Sequence, residues 1–174
     1  MKRYAIITAM GILAAACGSS SPTTPTPANT IVFTAALSAA NEVPPITNAD
    51  QNARGTATVT FNLTRDSAGT ITAATVNFVY NVTGFPAGTV LRATHVHEGG
   101  PSVPGGVKID SLLGPATAIT LPDGTMNNIT FSNATFPDGL TLINQIIANP
   151  NGYYFNVHSN LNPGGAVRGQ LVKQ

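Results

Sequence analysis

Residues 55–64 read GTATVTFNLT, with alanine, valine, phenylalanine and leucine at alternate positions and threonine or asparagine between them. This period of two places one set of side chains in a core and the other in water, which is typical of a β-strand with one buried face. Residues 66–69 (DSAG) supply a turn before residues 70–82, which form a second such run. The two runs predict a β-hairpin at the centre of the fold.

Further short runs rich in valine, isoleucine, threonine and phenylalanine occupy most of the remaining chain. They are residues 31–37, 91–97, 107–112, 128–131, 153–158 and 166–172. About eight strands separated by turn residues predict an all-β antiparallel sandwich or barrel. One segment differs, because Asp138 can cap a short helix that ends before Pro150. Leu140, Ile143 and Ile147 would share one face of that helix.

The composition excludes several classes of protein. The 174 residues are 43% hydrophobic and only 9% charged, with one cysteine and no tryptophan, and they suffice for one domain with a real core. The formal charge is +1, and loss of Lys2 and Arg3 with a leader would leave six basic residues against seven acidic ones. We therefore expect no nucleic-acid partner. A single cysteine also excludes an internal disulfide.

The first residues are typical of an export signal. Residues 1–3 (MKR) form a short positive region, and the predominantly apolar stretch of 13 residues at 4–16 is shorter than the about 20 that a membrane-spanning helix needs. The sequence AAAC that ends at Cys17 resembles a bacterial lipobox, which implies lipid on Cys17. Ala14 stands where that motif usually has leucine, and Ala14-x-Ala16 also suits ordinary signal peptidase. The alternative is therefore a secreted, soluble protein.

These features predict a domain organisation and a location. We expect a signal peptide over residues 1–16, a lipid anchor with a Ser/Thr/Pro tether over 17–29, and a folded domain over 30–174. The expected location is the bacterial cell envelope, at the outer membrane or the cell surface, with the membrane contacted through the lipid.

The chain has only three histidines, and two of them form the sequence His95-Val96-His97. On a strand, residues i and i+2 point to the same face about 7 Å apart, so both imidazoles can converge on one ion while Val96 faces the core. His158 ends another strand-like run. If the two strands are neighbours, three neutral imidazoles with an open position suit one zinc or copper ion. The alternative is that the histidines are solvated, or bonded to a carboxylate such as Glu98.

Several motifs, in a fixed order, resemble the CHRD domain, which is named after the animal protein chordin and also occurs in bacteria. They are residues 36–45 (ALSAANEVPP), Gly55, residues 93–99 (ATHVHEG), residues 154–158 (YFNVH) and residues 162–171 (NPGGAVRGQL). The match covers almost the whole mature chain. The resemblance implies an immunoglobulin-like β-barrel, but it implies no settled biochemical activity.

Residues 95–98 (HVHE) and 157–158 (VH) also look like the copper-binding strands of copper/zinc superoxide dismutases, which implies a Greek-key sandwich or barrel. By position, this similarity implies copper ligands at His95, His97 and His158. The dismutases also need a bridging histidine, further zinc ligands and a disulfide, none of which this chain can supply. We therefore expect at most a mononuclear site.

Arg168 follows Gly164-Gly165 in a segment that looks like the dismutase loop carrying an anion-guiding arginine. The alternative is a structural arginine near a sheet end, paired with Glu42 or Asp110. A functional and a structural interpretation are also open for the Gly/Pro-rich residues 99–106. They either rim a ligand site or form a rigid connection between two strands.

Two functions of different classes remain. The first, which we expect, is a surface-anchored, non-catalytic CHRD module that presents loops to a protein or glycan partner. The second is a cell-envelope metalloprotein that holds copper or zinc at the three histidines and performs redox chemistry. Metal–nitrogen bonds of about 2 Å require the three ligand nitrogens to lie within about 4 Å of one another, so their spacing discriminates between the two functions.

Overall fold

The computed structural model describes residues 29–174, so the predicted signal peptide, Cys17 and all but the last residue of the predicted tether lie outside the described residues. The described chain forms ten strands and one α-helix. The strands are β1 (Thr30–Ser38), β2 (Arg54–Arg65), β3 (Ile71–Thr83), β4 (Thr89–Glu98), β5 (Val107–Asp110), β6 (Ile119–Leu121), β7 (Met126–Phe131), β8 (Tyr153–Ser159), β9 (Val167–Gln170) and β10 (Val172–Lys173). The helix is α1 (Gly139–Ala148). The prediction of an all-β fold with one short helix is confirmed.

The strands form one antiparallel sheet that curls into a half-barrel. Its order is β5-β4-β8-β9-β1-β2-β3-β7, with β10 beside β1 and β6 beside β4. Backbone hydrogen bonds between Asp110 and Thr135 join the end of β5 to the segment after β7. The sequence missed β6, because three residues are too few to show alternation. The sequence-based prediction also treated β9 and β10 as one strand. They are separated at Leu171, whose N–H donates to the carbonyl oxygen of Tyr153.

The β2–β3 hairpin forms as predicted, with Val59 opposite Phe78 in the register. The inward positions of β2 are buried, and Phe61 makes an edge contact with Phe33 of β1 at 5.0 Å between ring centroids. Each of these side chains contributes on the order of 2 kcal/mol by leaving water. The alternation in residues 55–64 therefore fixes which face of the sheet becomes the core.

The helix α1 lies where the sequence predicted it, but the buried face differs from the predicted one. Leu142, Ile143 and Ile146 are buried, whereas Leu140 and Ile147 are only partly buried at the core margin. Asp138 precedes the helix but makes no side-chain cap, and its carboxylate accepts a hydrogen bond from Lys108 at 2.9 Å. Among the described residues, no helix is long and apolar enough to cross a bilayer.

Candidate metal centre

The strands β4 and β8 are neighbours, and their register brings the histidines together. His95 lies opposite Asn156, His97 opposite Tyr154, and Ala93 opposite His158. Because partners across an antiparallel pair and residues two apart share a face, all three imidazoles project from the same side of the sheet. Core residues of the same two strands, including Val96 and Phe155, are buried on the opposite side.

The histidine cluster, which we define as His95, His97 and His158, is tight. His95 Nδ1 lies 3.1 Å from His158 Nε2, and one ligand atom from each ring lies within 4.8 Å of the other two. A tetrahedral site with bonds of about 2 Å needs nitrogens about 3.4 Å apart. The cluster is somewhat wider than the expected limit of about 4 Å, and a ring movement of about 1 Å closes the difference.

The outward-facing ring nitrogens have acceptors nearby. His97 Nδ1 lies 2.9 Å from the carbonyl oxygen of Gly105, and His158 Nδ1 lies 2.9 Å from that of Pro163. His95 Nε2 faces the Asp110 carboxylate at 3.5 Å. A ring that donates its proton outward keeps the lone pair of its other nitrogen directed inward, which is how metal-binding histidines are usually oriented.

The inward nitrogen of His97 has no partner. His97 and His158 are both buried, each with 6% of its surface exposed, whereas His95 is half-buried. His97 Nε2 is buried and makes no hydrogen bond. An unpaired buried polar atom is uncommon and costs about 1–3 kcal/mol, so this nitrogen is a candidate ligand atom.

Burial keeps the cluster uncharged. Burial and, to a smaller extent, the neighbouring His158 together lower the pKa of His95 to about 4. Burial likewise lowers the pKa values of His97 and His158. All three imidazoles are therefore neutral at neutral pH, which is the protonation state that a metal ion requires.

The carboxylate beside the histidines is not the one that the sequence suggested. Glu98 lies 3.4 Å from Lys108 at the surface, and Asp110 of β5 takes the position next to His95. The signal that could have found Asp110 is the β4–β5 register, which pairs it directly with His95. A register shift between Val96 and His97 determines that pairing, and sequence periodicity does not reveal such a shift.

Arg168 is buried next to the cluster, with only 1% of its surface exposed. Its guanidinium lies 3.5 Å from the centre of the Tyr154 ring, which stacks on His97 at 5.0 Å. It donates hydrogen bonds to the carbonyl oxygen of Gly100 at 2.8 Å and to that of Val103 at 3.3 Å. No salt bridge to Glu42 or Asp110 is found among residues 29–174, so neither predicted carboxylate is its direct partner.

Residues 99–106 cover the cluster and are anchored through Gly105. The Gly105 N–H donates to the Tyr154 hydroxyl at 3.2 Å, while its carbonyl faces His97. A Cβ on Gly105 would collide with the carbonyl oxygen of Glu98. This glycine therefore allows the loop to approach β4 closely enough to orient His97.

Fold and cluster together define a small antiparallel β-domain with three histidines under two surface loops. The chain matches the CHRD domain family over residues 33–171, more than half of its length, and it belongs to that family. Neither the curated proteins nor the solved structures contain a match to it. The family expected from the motifs is confirmed, and the similarity to superoxide dismutases stays a prediction.

Proposed function

We propose that this CHRD domain binds one zinc or copper ion through His95 Nδ1, His97 Nε2 and His158 Nε2. The observation that carries the proposal is the buried, unpartnered Nε2 of His97, aimed toward two other imidazoles. The acceptors at the outward nitrogens support the same orientation of all three rings. An ion at the centre would take the place of the missing hydrogen-bond partner.

The donor set decides which ions fit. Three neutral imidazoles suit zinc and copper, whereas calcium and magnesium prefer six or more oxygen ligands. Three protein ligands leave one position open for water or another small molecule. With copper this open position permits one-electron chemistry, and with zinc it does not, so the identity of the ion decides whether redox activity is available.

The proposed function is tested by measuring bound metal. The mature chain carrying Cys17→Ser, which removes the only thiol, is stripped of metal, dialysed against zinc or copper, and analysed by mass spectrometry. We expect about one ion per chain, and loss of it in a His95→Ala/His97→Ala variant. Glu98→Gln is the matched control, because Glu98 lies on the same strand and pairs with Lys108 instead. Absence of tight metal from the Cys17→Ser chain would overturn the proposal.

We further propose that the domain is exported and held at the bacterial envelope by lipid on Cys17. Support comes from the basic start, the short apolar stretch and the position of the only cysteine directly after them. Intact mass spectrometry of the mature protein from membranes tests this: diacylglycerol and an acyl chain on Cys17 are expected. An unmodified protein beginning after Ala16 in the soluble fraction would show simple secretion.

A second candidate function is a non-catalytic module for a protein or glycan partner. It is favoured by the outward face of β2, where every position between the terminal arginines carries threonine or asparagine. Such a face offers hydroxyl and amide groups without charge, which suits a neutral, hydroxyl-rich partner. Retardation of the protein in gels containing neutral polysaccharides, compared with a Thr58→Asp variant, tests this candidate.

A further inference from the structure

A second buried polar group lies outside the histidine cluster. Glu42 follows the turn after β1 and has only 7% of its surface exposed. Its Oε1 is buried and has no hydrogen-bond partner. No salt bridge to this carboxylate is found in the described part of the chain. Burying a carboxylate without a partner costs folding free energy, so the burial of Glu42 requires an explanation.

Glu42 lines a cleft with a volume of about 330 Å³ between two segments of the chain, residues 42–48 and residues 161–165. One wall contains Pro44 and Pro45, and the opposite wall contains Leu161 and Pro163. The volume lies within the range of pockets that hold small organic molecules, about 300–1,000 Å³. The cleft therefore combines apolar side chains with neutral polar ones, including Asn48 and Asn162, and it has one acidic group.

A glycine lets the opposite wall lie directly on the carboxylate. A Cβ on Gly165 would stand 2.9 Å from both carboxylate oxygens of Glu42 and 2.6 Å from the Asn156 amide nitrogen. Gly165 also has a φ of 137°, which side-chain-bearing residues rarely adopt. The backbone at Gly165 therefore packs directly against Glu42, and a residue with a side chain would not fit at position 165.

The nearest positive charge leaves the carboxylate incompletely neutralised. Burial raises the pKa of Glu42 to about 7, and the charge of Arg168 only partly opposes this rise. The Arg168 donors are directed to the carbonyl oxygens of Gly100 and Val103. A ligand with its own positive charge and N–H donors would supply the neutralising charge and the hydrogen bonds that Arg168 does not give to Glu42.

We propose that this cleft binds a primary ammonium group carried on a short apolar chain, with the Glu42 carboxylate as the acceptor. The prolines would contact the apolar chain, and the ammonium would donate to the Glu42 carboxylate from the cleft side. A divalent metal ion does not fit, because calcium needs about six to eight oxygen ligands, whereas the cleft offers one carboxylate and two asparagine amides that already bond to each other. Two kinds of ligand carry such a group: a free small amine, and a lysine side chain of a partner protein.

The test is an NMR titration of the mature Cys17→Ser chain at about pH 8, where both Glu42 and the amine are ionised. The probes are n-butylammonium chloride, Nα-acetyl-lysine methylamide and the neutral 1-butanol. We expect both ammonium probes to give saturable shifts at the Gly164 and Gly165 amides, and 1-butanol to bind about tenfold more weakly. Tighter binding of the lysine derivative would identify a partner side chain, and tighter binding of butylammonium would identify a free amine.

Glu42→Gln keeps the shape of the side chain and removes its charge, and we expect it to weaken ammonium binding about tenfold. Glu98→Gln removes a carboxylate outside the cleft and should leave the binding unchanged. In the chain that retains Glu42, the chemical shift of its side-chain carboxyl carbon reports ligand binding directly. The proposal is overturned if no probe gives saturable shifts, or if Glu42→Gln binds butylammonium as well as the parent chain. Neither result depends on metal, so the test is independent of the histidine cluster.

Discussion

His95 Nδ1 and His158 Nε2 lie 3.1 Å apart, although the two residues are separated by 63 positions in the sequence. Because His95 Nε2 faces the Asp110 carboxylate and His158 Nδ1 faces the Pro163 carbonyl, the single proton of each neutral ring lies on its outer nitrogen, and the two facing nitrogens both present lone pairs. A metal ion between these lone pairs would bring in the unpartnered His97 Nε2 as a third ligand. Burial lowers the pKa of all three rings, so zinc or copper would bind neutral imidazoles at neutral pH, and protons should compete with the metal only in acid.

The carboxylate of Asp110 orients His95, so we predict that Asp110→Asn weakens zinc binding by about 10- to 100-fold while the fold is retained. The physical reason is that an amide is a weaker acceptor than a carboxylate for the His95 Nε2 proton. Competition with a chromophoric chelator measures the affinity. Asp123→Asn, at an exposed turn, is the control and should bind zinc like the parent. Equal affinities for the two variants would contradict the proposed role of Asp110.

Two glycines in the covering loop give a matched pair of variants. Gly105→Ala places a Cβ against the Glu98 carbonyl, whereas a Cβ on Gly106 meets nothing within 4 Å. We predict that Gly105→Ala destabilises the apo-domain by about 2 kcal/mol or more and weakens metal binding, because it displaces the carbonyl that faces His97. Gly106→Ala should change both quantities little. Urea denaturation and metal competition measure them, and similar behaviour of the two variants would show that the loop does not orient His97.

Arg168 joins the loop to the sheet, and we predict that lysine cannot replace it. The guanidinium donates to the Gly100 and Val103 carbonyls while lying over Tyr154, a geometry that depends on its planar fork. Arg168→Lys should cost about 2–4 kcal/mol of unfolding free energy, because buried carbonyls lose their donors. Arg54→Lys, at an exposed position, should cost under about 0.5 kcal/mol. A denaturation midpoint unchanged by Arg168→Lys would contradict the structural role.

The sequence predicted the hairpin and the convergence of the histidines for the same physical reason. Alternation with a period of two identifies the buried face of a strand, and it therefore also identifies the side chains on the opposite face. His95 and His97 had to share a face, and His158 joined them once β4 and β8 proved to be neighbours.

Features that depend on register or loop conformation could not be predicted in this way. The carboxylate beside His95 depends on a register shift in β4–β5, and the partners of Arg168 are loop carbonyls with no sequence signature. The prediction of which face of α1 is buried was wrong. Two sets of residues, Leu140/Ile143/Ile147 and Leu142/Ile143/Ile146, both have helical spacing, so the sequence pattern does not distinguish them. Packing against the sheet selected the second set.

The burial of Glu42 should make stability depend on pH in a specific direction. Its folded pKa of about 7 lies above the ordinary pKa of a glutamate, 4.5, so the folded state keeps a proton that the unfolded state has already lost. This contribution to stability is complete below about pH 4.5 and is lost as the pH rises through about 7.

Glu42→Gln removes that titration, and we predict that the variant becomes more stable than the parent as the pH rises, by on the order of 1–3 kcal/mol at about pH 8. At about pH 4 the two chains should be nearly equal, because the protonated glutamic acid and glutamine are both neutral. Metal-free urea denaturation at the two pH values measures the difference, with Glu98→Gln as the control for an exposed carboxylate. A variant that is less stable at about pH 8 would show that Glu42 is held by a partner in the folded protein, since removing a charge paired with a cation destabilises.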